Sequence, residues 1–248
     1  MEDNQYINSL KKDSNIAKEY YEKSLVKTEQ QKFLEELLKK YCSKDKIKIA
    51  DVACGGGTLS YHLCEKFPNA EFYLSDMSSD ALEIAKSINS GKINFTFDIA
   101  DITALNTYKE NQFDFVFCWQ TLSWLNKPEV GIKELIRIAK PGARIFCSSL
   151  FNLERDVDIY SKVVDNTRPS TGEGLSYSYN TYSRVSLDKW ILTKLKAKAY
   201  KLHPFNSKIP FEYNGKGIGT STIKTCDNNY IQISGGMLMN WAILEIIL

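Results

Sequence analysis

The chain has 248 residues, of which 32 are Lys or Arg and 30 are Asp or Glu, so its formal net charge is +2. This length suffices for one large α/β domain or for a core domain with a modest cap. The near balance of charge gives no overall attraction to nucleic acid or to an anionic membrane, and we expect neither as a partner.

Cysteine and histidine usage restricts the chemistry further. The six cysteines include no C-x-x-C pair, which is typical of a reduced, cytosolic protein. The two histidines, His62 and His203, are too far apart and too poorly accompanied for a zinc site, so we expect no metal. The polar, acidic start M-E-D-N-Q-Y and the lack of a long apolar run predict a cytoplasmic protein without a secretion signal or a membrane span.

The first elements are helical. Residues 14–41 carry apolar side chains at helical spacing among Lys and Glu. Thr28 followed by Gln31 resembles a capping box, so we expect two helices that meet near Lys27. We assign residues 1–44 to this N-terminal helical region.

Residues 47–59, I-K-I-A-D-V-A-C-G-G-G-T-L, form the stretch around which the rest of the chain is organised. An apolar run reaches Asp51 and passes into Gly55, Gly56 and Gly57 before helix-forming residues resume, which predicts a strand, a turn and a helix. Glycine allows positive φ angles and lets a flat ligand approach the backbone beside the amides that open the next helix. We therefore expect the functional site here.

Strand and helix patterns alternate after this turn. Apolar strand patterns cover 70–76, 93–97, 113–119 and 143–149, and helical patterns cover 58–67, 80–88 and 126–139. Such alternation predicts a parallel, doubly wound sheet whose ligands gather at the carboxyl ends of its strands. The residues that mark these ends are Asp51, Asp76, Asp101, Trp119 and Gln120.

The alternation stops after residue 150. Residues 151–185 contain T-R-P-S-T-G-E-G and several tyrosines, which favours a cap or lid over another sheet layer. We then predict a helix at 186–195, an edge strand with alternating lysines at 196–205, a β-hairpin within 219–234 and a last strand at 241–248. The chain divides into N-terminal helices (1–44), a ligand-binding core (45–150) and a C-terminal part (151–248) with the cap, the hairpin and two sheet strands.

A glycine turn after a strand serves several ligand classes. A phosphate loop ends in Gly-Lys-Ser/Thr, and the sequence Thr58-Leu59-Ser60 lacks the lysine, which disfavours nucleotide hydrolysis. A dinucleotide fingerprint would place Ser60 where the third glycine allows close helix packing, so an NAD-dependent oxidoreductase remains an alternative with this feature against it.

The motif D-V-A-C-G-G-G-T resembles the first motif of class I S-adenosylmethionine-dependent methyltransferases, in which an acid precedes the glycines by four positions, as Asp51 precedes Gly55. Asp76 looks like the family's ribose-binding acid, and A-D-I at 100–102 looks like its adenine-edge motif. The segments F-D-F-V-F-C-W-Q and E-L-I-R-I-A-K-P-G-A-R-I-F are similar to its fourth and fifth strand regions. The resemblance covers about residues 45–150 and is specific in combination.

The resemblance implies a doubly wound, mostly parallel α/β sheet of seven strands, with N-terminal helices that close over the cofactor and a cap and hairpin insertion. It also implies S-adenosylmethionine as cofactor and a set of residues that contact it. This set is Asp51, Ala53, Cys54, Gly55, Gly57, Asp76, Met77, Asp101, Ile102, Cys118 and Trp119.

The acceptor is less well defined. Arg155, Arg168 and Arg184 lie in the cap region near its tyrosines, and arginine suits phosphate or carboxylate, although cap packing explains them equally well. The fourth strand ends in C-W-Q-T, without the Pro-Pro motif of enzymes that methylate base amines, which favours a small metabolite. The candidate acceptor-binding residues are Tyr21, Gln120, Arg155, Tyr179, Tyr182 and Arg184.

Methyl transfer depends mainly on positioning, and a general base helps when the acceptor is a hydroxyl. The candidate bases are His203 in K-L-H-P-F, one of the tyrosines and a carboxylate on the substrate itself. A packed edge histidine is the alternative interpretation of His203. The sequence thus predicts O-methylation of a small anionic or sugar-like metabolite. An NAD-dependent oxidoreductase and a non-catalytic cofactor-binding module are the alternatives.

Overall fold

The structure is a computed structural model that describes residues 25–41, 46–165, 175–212, 221–234 and 237–248. Thirteen strands lie in these ranges: β1 (Lys48–Val52), β2 (Glu71–Asp76), β3 (Phe95–Ile99), β4 (Phe113–Trp119), β5 (Ala139–Asn152), β6 (Lys162–Asp165), β7 (Leu175–Ser178), β8 (Tyr182–Ser183), β9 (Ala199–Phe205), β10 (Ser221–Lys224), β11 (Tyr230–Ser234), β12 (Met237–Met239) and β13 (Trp241–Ile247). The α-helices are α1 (Glu29–Leu38), α2 (Thr58–Lys66), α3 (Ser79–Ile88), α4 (Pro128–Ile138) and α5 (Arg184–Leu187), which continues as a π-helix (Asp188–Lys194).

The main sheet has the strand order β3-β2-β1-β4-β5-β13-β9. Strands β1 to β5 pair in parallel, and β13 is antiparallel to both of its neighbours, β5 and β9. The short strand β8 adds to β5 in parallel. This topology confirms the predicted doubly wound, mostly parallel sheet with a hairpin-like last pair of strands.

Helices cover both faces of the sheet, and the strands between them are correspondingly buried. On one face, Leu34 of α1 and Leu63 of α2 join Phe117 of β4 in one apolar cluster. On the other face, Leu135 of α4 and Ile191 of the π-helix pack with further residues of the central strands. Because the central strands are parallel, their carboxyl ends lie along one edge of this buried sheet.

Helix α1 begins at the predicted capping box. The Thr28 hydroxyl accepts a hydrogen bond from the Gln31 amide (3.2 Å), and the Gln31 side chain accepts one from the Thr28 amide (2.9 Å). The preceding predicted helix, with Tyr20 and Tyr21, lies outside the described residues. At the other end of the helical segment, the Tyr41 hydroxyl donates to Glu245 Oε1 of β13 (2.6 Å), which anchors the segment to the sheet.

Three strands begin two or more residues away from the predicted start, and one of them is β9, which begins at Ala199 instead of residue 196. Strand β3 covers Phe95–Ile99 because it pairs with Phe72 to Asp76 of β2, whereas Ile93 is 94% exposed. Strand β5 begins at Ala139, four residues earlier than predicted. The K-P-G segment remains part of the strand as a bulge, since Phe113 pairs with Ala139 and Phe115 with Arg144.

The helix after the cap also starts earlier than predicted. Ser183, rather than Ser186, is its N-cap, and the Ser183 hydroxyl accepts from the Ser186 amide (3.3 Å). Strand β9 follows and lies at the sheet edge, as its alternating lysines predicted.

Two small antiparallel sheets form beyond β5. Strands β6 and β7 make a small antiparallel hairpin within the region predicted as a cap. Strands β10 and β11 form the predicted hairpin, and β12 extends it to three strands. Because Phe205 of β9 pairs directly with Trp241 of β13, all of residues 206–240 is an insertion between adjacent strands.

Within the described ranges, none of the helices combines the length and apolar character needed to cross a membrane. In the same part of the chain, no three His, Cys, Asp or Glu side chains are grouped so as to hold a metal ion.

Candidate active site

The turn after β1 takes left-handed backbone angles at three alternate residues: φ is 56° at Ala53, 52° at Gly55 and 70° at Gly57. The two glycines differ in their surroundings. A Cβ on Gly57 would lie 2.9 Å from side-chain atoms of Leu74 and Asn89, so this glycine permits close packing of α2. A Cβ on Gly55 would meet no atom within 4 Å, so the turn presents open backbone there.

Asp76 at the end of β2 braces this turn. Its Oδ2 accepts from the Gly55 amide and its Oδ1 from the Ser78 amide, both at 2.9 Å. Burial raises the pKa of Asp76, while the hydrogen bonds from these backbone amides oppose the rise. Met77, the next residue, is 48% exposed and offers an apolar surface beside the carboxylate.

Asp51 is fully buried beneath the same turn. Its Oδ2 accepts from the Ser60 hydroxyl of α2 at 2.6 Å, whereas its Oδ1 has no hydrogen-bond partner among the described residues. Burial raises the pKa of Asp51 to about 7. A buried carboxylate oxygen without a donor is costly, and an ammonium group of a ligand would complete it. The free carboxylate oxygen of Asp51 therefore fits the amino group of a bound amino-acid moiety.

Cys54 lies between these two acids. Its amide donates to the Ser75 carbonyl of β2 at 2.9 Å, which holds the turn against the second strand. Burial raises the pKa of the Cys54 thiol well above its usual value, so the side chain is a neutral part of the wall.

Asp101 and Ile102 follow β3. Asp101 is exposed, and its Oδ1 accepts from the amide and the hydroxyl of Thr103, both at 2.8 Å. Ile102, by contrast, is only 6% exposed and packs in the core near Gly131 of α4. The structure thus keeps Asp101 at the surface of the site and places the Ile102 side chain in the core.

Two predicted cofactor contacts at the end of β4, Cys118 and Trp119, also differ in burial. Cys118 is fully buried opposite Cys147 of β5, so its side chain belongs to the core and the predicted cofactor contact is not supported by its position. Trp119 is half-buried and points to the face that carries α1 and α2. Of these two side chains, that of Trp119 is the one with exposed surface.

Gln120 begins the loop after β4 with a left-handed φ of 55° and an exposed side chain. Its amide donates to the Ser148 carbonyl (2.9 Å), and its Nε2 donates to Gln30 Oε1 of α1 (3.2 Å). The same Gln30 oxygen accepts from the Ser148 hydroxyl at 2.9 Å. Sequence reasoning missed Gln30. The available signal was the adjacent pair Gln30 and Gln31 on the same side of α1 as Leu34 and Leu38.

Aromatic residues gather beside Gln120. The Trp124 ring centroid lies 5.0 Å from that of Tyr177 and 4.9 Å from that of Tyr179, and Tyr179 shares an apolar cluster with Trp241 of β13. We call Trp124, Tyr177, Tyr179 and Trp241 the aromatic cluster. Of these, the sequence analysis proposed only Tyr179 as a substrate contact.

Tyr182 has a different role from the one predicted. It is 1% exposed, packs against Trp190, and its hydroxyl donates to the carbonyls of Leu122 and Leu125, each at 3.0 Å. These bonds fix the loop after β4. Tyr182 is therefore a support of that loop and has no surface to offer a substrate.

The arginines do not form a common site. Arg155 is exposed in a bend after β5, while Arg184 lines a surface depression of about 610 Å³ along β9. Arg168 and Tyr21 lie outside the described residues. The predicted arginine and tyrosine pocket is thus not assembled by the arginines that the structure describes.

His203 lines the same depression and binds Glu245, with 2.9 Å between Nε2 and Oε2. Burial alone would raise the pKa of Glu245, but hydrogen bonds from His203 and Tyr41 and the charge of Lys40 lower it to about 2. Strand β9 lies four strand spacings from β1, or about 19 Å. His203 is therefore placed as a packed edge histidine, remote from the glycine turn.

The fold is similar to that of the YcgJ protein from Bacillus subtilis, with a TM-score of 0.60 and 14% identity over 86% of this chain and 97% of that one. An S-adenosylmethionine-dependent methyltransferase from Aquifex aeolicus aligns with a TM-score of 0.50 and 16% identity over 86% of this chain and 89% of its own. At such identities the likeness shows the fold alone.

Three named relatives match shorter segments. A malonyl-acyl-carrier-protein O-methyltransferase from Hahella chejuensis is 32% identical over 109 residues, 44% of this chain and 37% of that protein. Malonyl-acyl-carrier-protein O-methyltransferase 2 from Ilyobacter polytropus is 27% identical over 157 residues, 63% of this chain and 58% of its own. A ubiquinone biosynthesis O-methyltransferase from Azoarcus sp. is 30% identical over 111 residues, 44% of this chain and 47% of its own.

The chain thus spans between 37% and 58% of the length of these relatives. Residues 43–200, which are more than half of the chain, match the family described as "Methyltransferase domain". This segment contains the glycine turn, the braced Asp76 and the buried Asp51. The chain therefore belongs to the methyltransferase-domain family of class I S-adenosylmethionine-dependent enzymes.

Proposed function

We propose that the protein transfers a methyl group from S-adenosylmethionine to an oxygen of a small acceptor, within the cytoplasm. The observation that carries the proposal is the buried Asp51 oxygen without a donor, next to the open turn at Gly55. A ligand that supplies both an ammonium group and a flat nucleoside satisfies both features.

The residues at three strand ends have distinct roles in this proposal. Asp51 faces the amino group of the cofactor's methionine part. Asp76, already oriented by the Gly55 and Ser78 amides, accepts from the ribose hydroxyls with its remaining lone pairs, and Met77 borders the adenine ring. The exposed Asp101 accepts from the adenine amine.

The bound cofactor supplies a methyl group activated by a sulfonium centre. In the transfer, a bond forms between the acceptor oxygen and the methyl carbon, the carbon–sulfur bond breaks with its electron pair left on sulfur, and the hydroxyl proton passes to water. Positioning of the acceptor oxygen at near-attack distance supplies much of the rate. Gln30, Gln120 and Trp119 lie where they can provide that positioning.

Oxygen as the acceptor atom has support from the relatives, since those named above are all O-methyltransferases. Their names differ in substrate and none names a sugar, so they do not single out one acceptor class for this chain. A cytoplasmic location is supported by the cysteines, because the five that the structure describes are all free thiols.

An NAD-dependent oxidoreductase is the second candidate from the sequence. Ser60, which replaces the third glycine of a dinucleotide fingerprint, has its hydroxyl on Asp51 at 2.6 Å. The serine thus has a specific partner in the methyltransferase arrangement, which disfavours the oxidoreductase. A non-catalytic module would bind the cofactor equally well, but it would not transfer the methyl group to any acceptor.

Incubation with methyl-labelled S-adenosylmethionine and a fractionated cell extract tests the proposal. We expect label in a small-molecule fraction and matching formation of S-adenosylhomocysteine. Cofactor binding without labelled product would leave the non-catalytic module. Quenching of NADH fluorescence by the protein, with no binding of S-adenosylmethionine in calorimetry, would establish the oxidoreductase instead.

A further inference from the structure

We propose that the unit of the acceptor that receives the methyl group is an uncharged sugar ring, held between the aromatic cluster and the amides of Gln30 and Gln120. This inference rests on the proposed function and specifies its substrate class. It differs from the expectation, drawn from the arginines, of an anionic acceptor.

The location suits an acceptor. The cofactor residues follow β1, β2 and β3, and the next strand is β4, which ends at Trp119 and leads into Gln120. The aromatic cluster packs against Leu150, at the end of β5, and includes the first residue of β13. Because neighbouring strands are about 5 Å apart, the cluster lies one to three strand spacings from the glycine turn.

The cluster offers rigid, partly accessible rings. Trp124 and Tyr177 are half-buried, whereas Tyr179 and Trp241 are buried beneath them at 8% exposure each. Aromatic side chains contribute a large apolar surface and a polar edge, which match the C–H faces and the hydroxyl edges of a sugar ring. Phe33 of α1, with its centroid 5.8 Å from that of Phe205, continues the same wall.

Two hydrogen-bond donors in this region have no partner among the residues that the structure describes. The Trp241 side chain is more than nine-tenths buried, and its Nε1 has no acceptor among the described residues. Gln30 uses its Oε1 for both Ser148 and Gln120, and its Nε2 makes no hydrogen bond within the described part of the chain. Ligand hydroxyl oxygens are suitable acceptors for both donors.

Charge argues against an anion at this place. The described residues of the aromatic cluster and the polar groups beside it, Gln30, Gln120 and Ser148, are all neutral. Burying a carboxylate or phosphate without a cation is strongly unfavourable. The cations Arg184, Lys198 and Lys201 line the depression along β9 instead, about 19 Å from β1, where a bound anion could not present its oxygen to the cofactor.

The test has two parts. In the first, the product labelled from methyl-labelled S-adenosylmethionine in a cell extract is purified and hydrolysed, and the methyl-bearing unit is identified by mass and ion exchange. A neutral O-methyl sugar is the expected result. A methyl ester or a methylated aromatic ring would overturn the inference and leave the proposed function intact. No labelled product would refute both, and calorimetry would then show whether the cofactor binds at all.

The second part examines the pocket with the acceptor so identified. Trp124→Ala should raise the acceptor KM at least tenfold, with kcat within about threefold and cofactor affinity unchanged, while Trp124→Phe should restore most of the KM. Gln120→Leu, which removes the exposed side-chain amide that donates to Gln30, should also raise KM. Phe211→Ala, an exposed aromatic residue outside the cluster, is the control. An unchanged acceptor KM in both Trp124→Ala and Gln120→Leu would overturn the assignment of the pocket.

Discussion

The two sides of the sheet edge are built differently. Around β1, β2 and β3, the candidate cofactor residues lie in or directly after the strand ends, and their key bonds join neighbouring strands and turns, as between Gly55 and Asp76. Beyond β4, the contacts that shape the acceptor side join distant segments, such as Gln30 with Ser148, 118 residues apart. A short motif can therefore specify the first side, whereas the second side exists only after the chain has folded.

The largest expected effect comes from Asp76→Ala on the cofactor side. Removing the carboxylate deletes the braces to Gly55 and Ser78 as well as the proposed ribose contact. Charged hydrogen bonds contribute about 1.5–3 kcal/mol each, so we expect roughly 100-fold weaker binding of S-adenosylmethionine in calorimetry. Asp80→Ala, an exposed acid in the first turn of α3, is the matched control. Equal affinity of the Asp76 variant and the wild type for S-adenosylmethionine would contradict the assignment of the cofactor site to the strand ends of β1, β2 and β3.

The two glycines separate stability from binding within the same turn. Gly57→Ala places a Cβ 2.9 Å from Leu74 and Asn89 at a φ of 70°, so we expect a loss of about 2–4 kcal/mol in the free energy of unfolding. Gly55→Ala meets no atom and should lose only about 1 kcal/mol from its φ of 52°. Denaturant unfolding measures both values. Calorimetry should show that Gly55→Ala binds the cofactor more weakly than Gly57→Ala does. A larger loss of stability for Gly55→Ala than for Gly57→Ala would contradict the assignment of Gly57 to packing and of Gly55 to binding.

Asp51 should make cofactor binding depend on pH. Its pKa of about 7 in the folded chain lies above the value of about 3.9 expected when unfolded, so its contribution to stability is full below about pH 4 and is lost as the pH rises through about 7. An ammonium ligand prefers the ionised carboxylate. Affinity should therefore rise roughly eightfold between about pH 6 and pH 7.5, with proton release on binding near pH 6.

Calorimetry in buffers of different ionisation enthalpy measures this proton release. Asp51→Asn keeps a hydrogen-bond acceptor for Ser60 and removes the titrating group, so its binding should be weaker and independent of pH in the same interval. A pH dependence that persists in Asp51→Asn would show that another group is responsible.

The smallest effect is expected at His203, on the far side of the acceptor region. His203→Gln retains a hydrogen-bonding group for Glu245 and lies about 19 Å from β1, so kcat should change by less than about twofold. The rate–pH profile is the sharper measurement. Loss of its acidic limb in this variant would make His203 the general base after all, because a base acts only when it is deprotonated.

The sequence was sufficient for the features that depend on local pattern. The alternation of strands and helices, the capping box at Thr28, the edge strand β9 and the hairpin of β10 and β11 all agree with the predicted elements. Each is encoded by periodicity or turn chemistry over a few residues, which the unfolded chain already displays. The shift of β3 shows the limit, because pairing with β2 outweighed the apolar Ile93.

The acceptor side could not be predicted in this way. Tyr179 and Tyr182 are three residues apart in one cluster of tyrosines, yet one joins the aromatic cluster and the other supports the loop after β4. Asn180, which lies between them, donates its side-chain amide to the Leu125 carbonyl 55 residues away (3.1 Å) and to the Tyr182 hydroxyl (3.3 Å). No short sequence window contains both Leu125 and Asn180, and such distant partners decide which tyrosine a substrate can reach.

The insertion between β9 and β13 has a consequence for how such enzymes diversify. Its two ends, at Phe205 and Trp241, are paired neighbours, so the segment could be shortened, lengthened or exchanged while the sheet hydrogen bonds remain. The entropic cost of closing a loop grows only slowly with the length of the loop, so such changes cost little stability. Near one end of this replaceable segment, Met239 packs in the same apolar cluster as Trp241 and Tyr179. Recombination at this single junction could therefore retarget methylation to new acceptors while the cofactor chemistry is inherited unchanged.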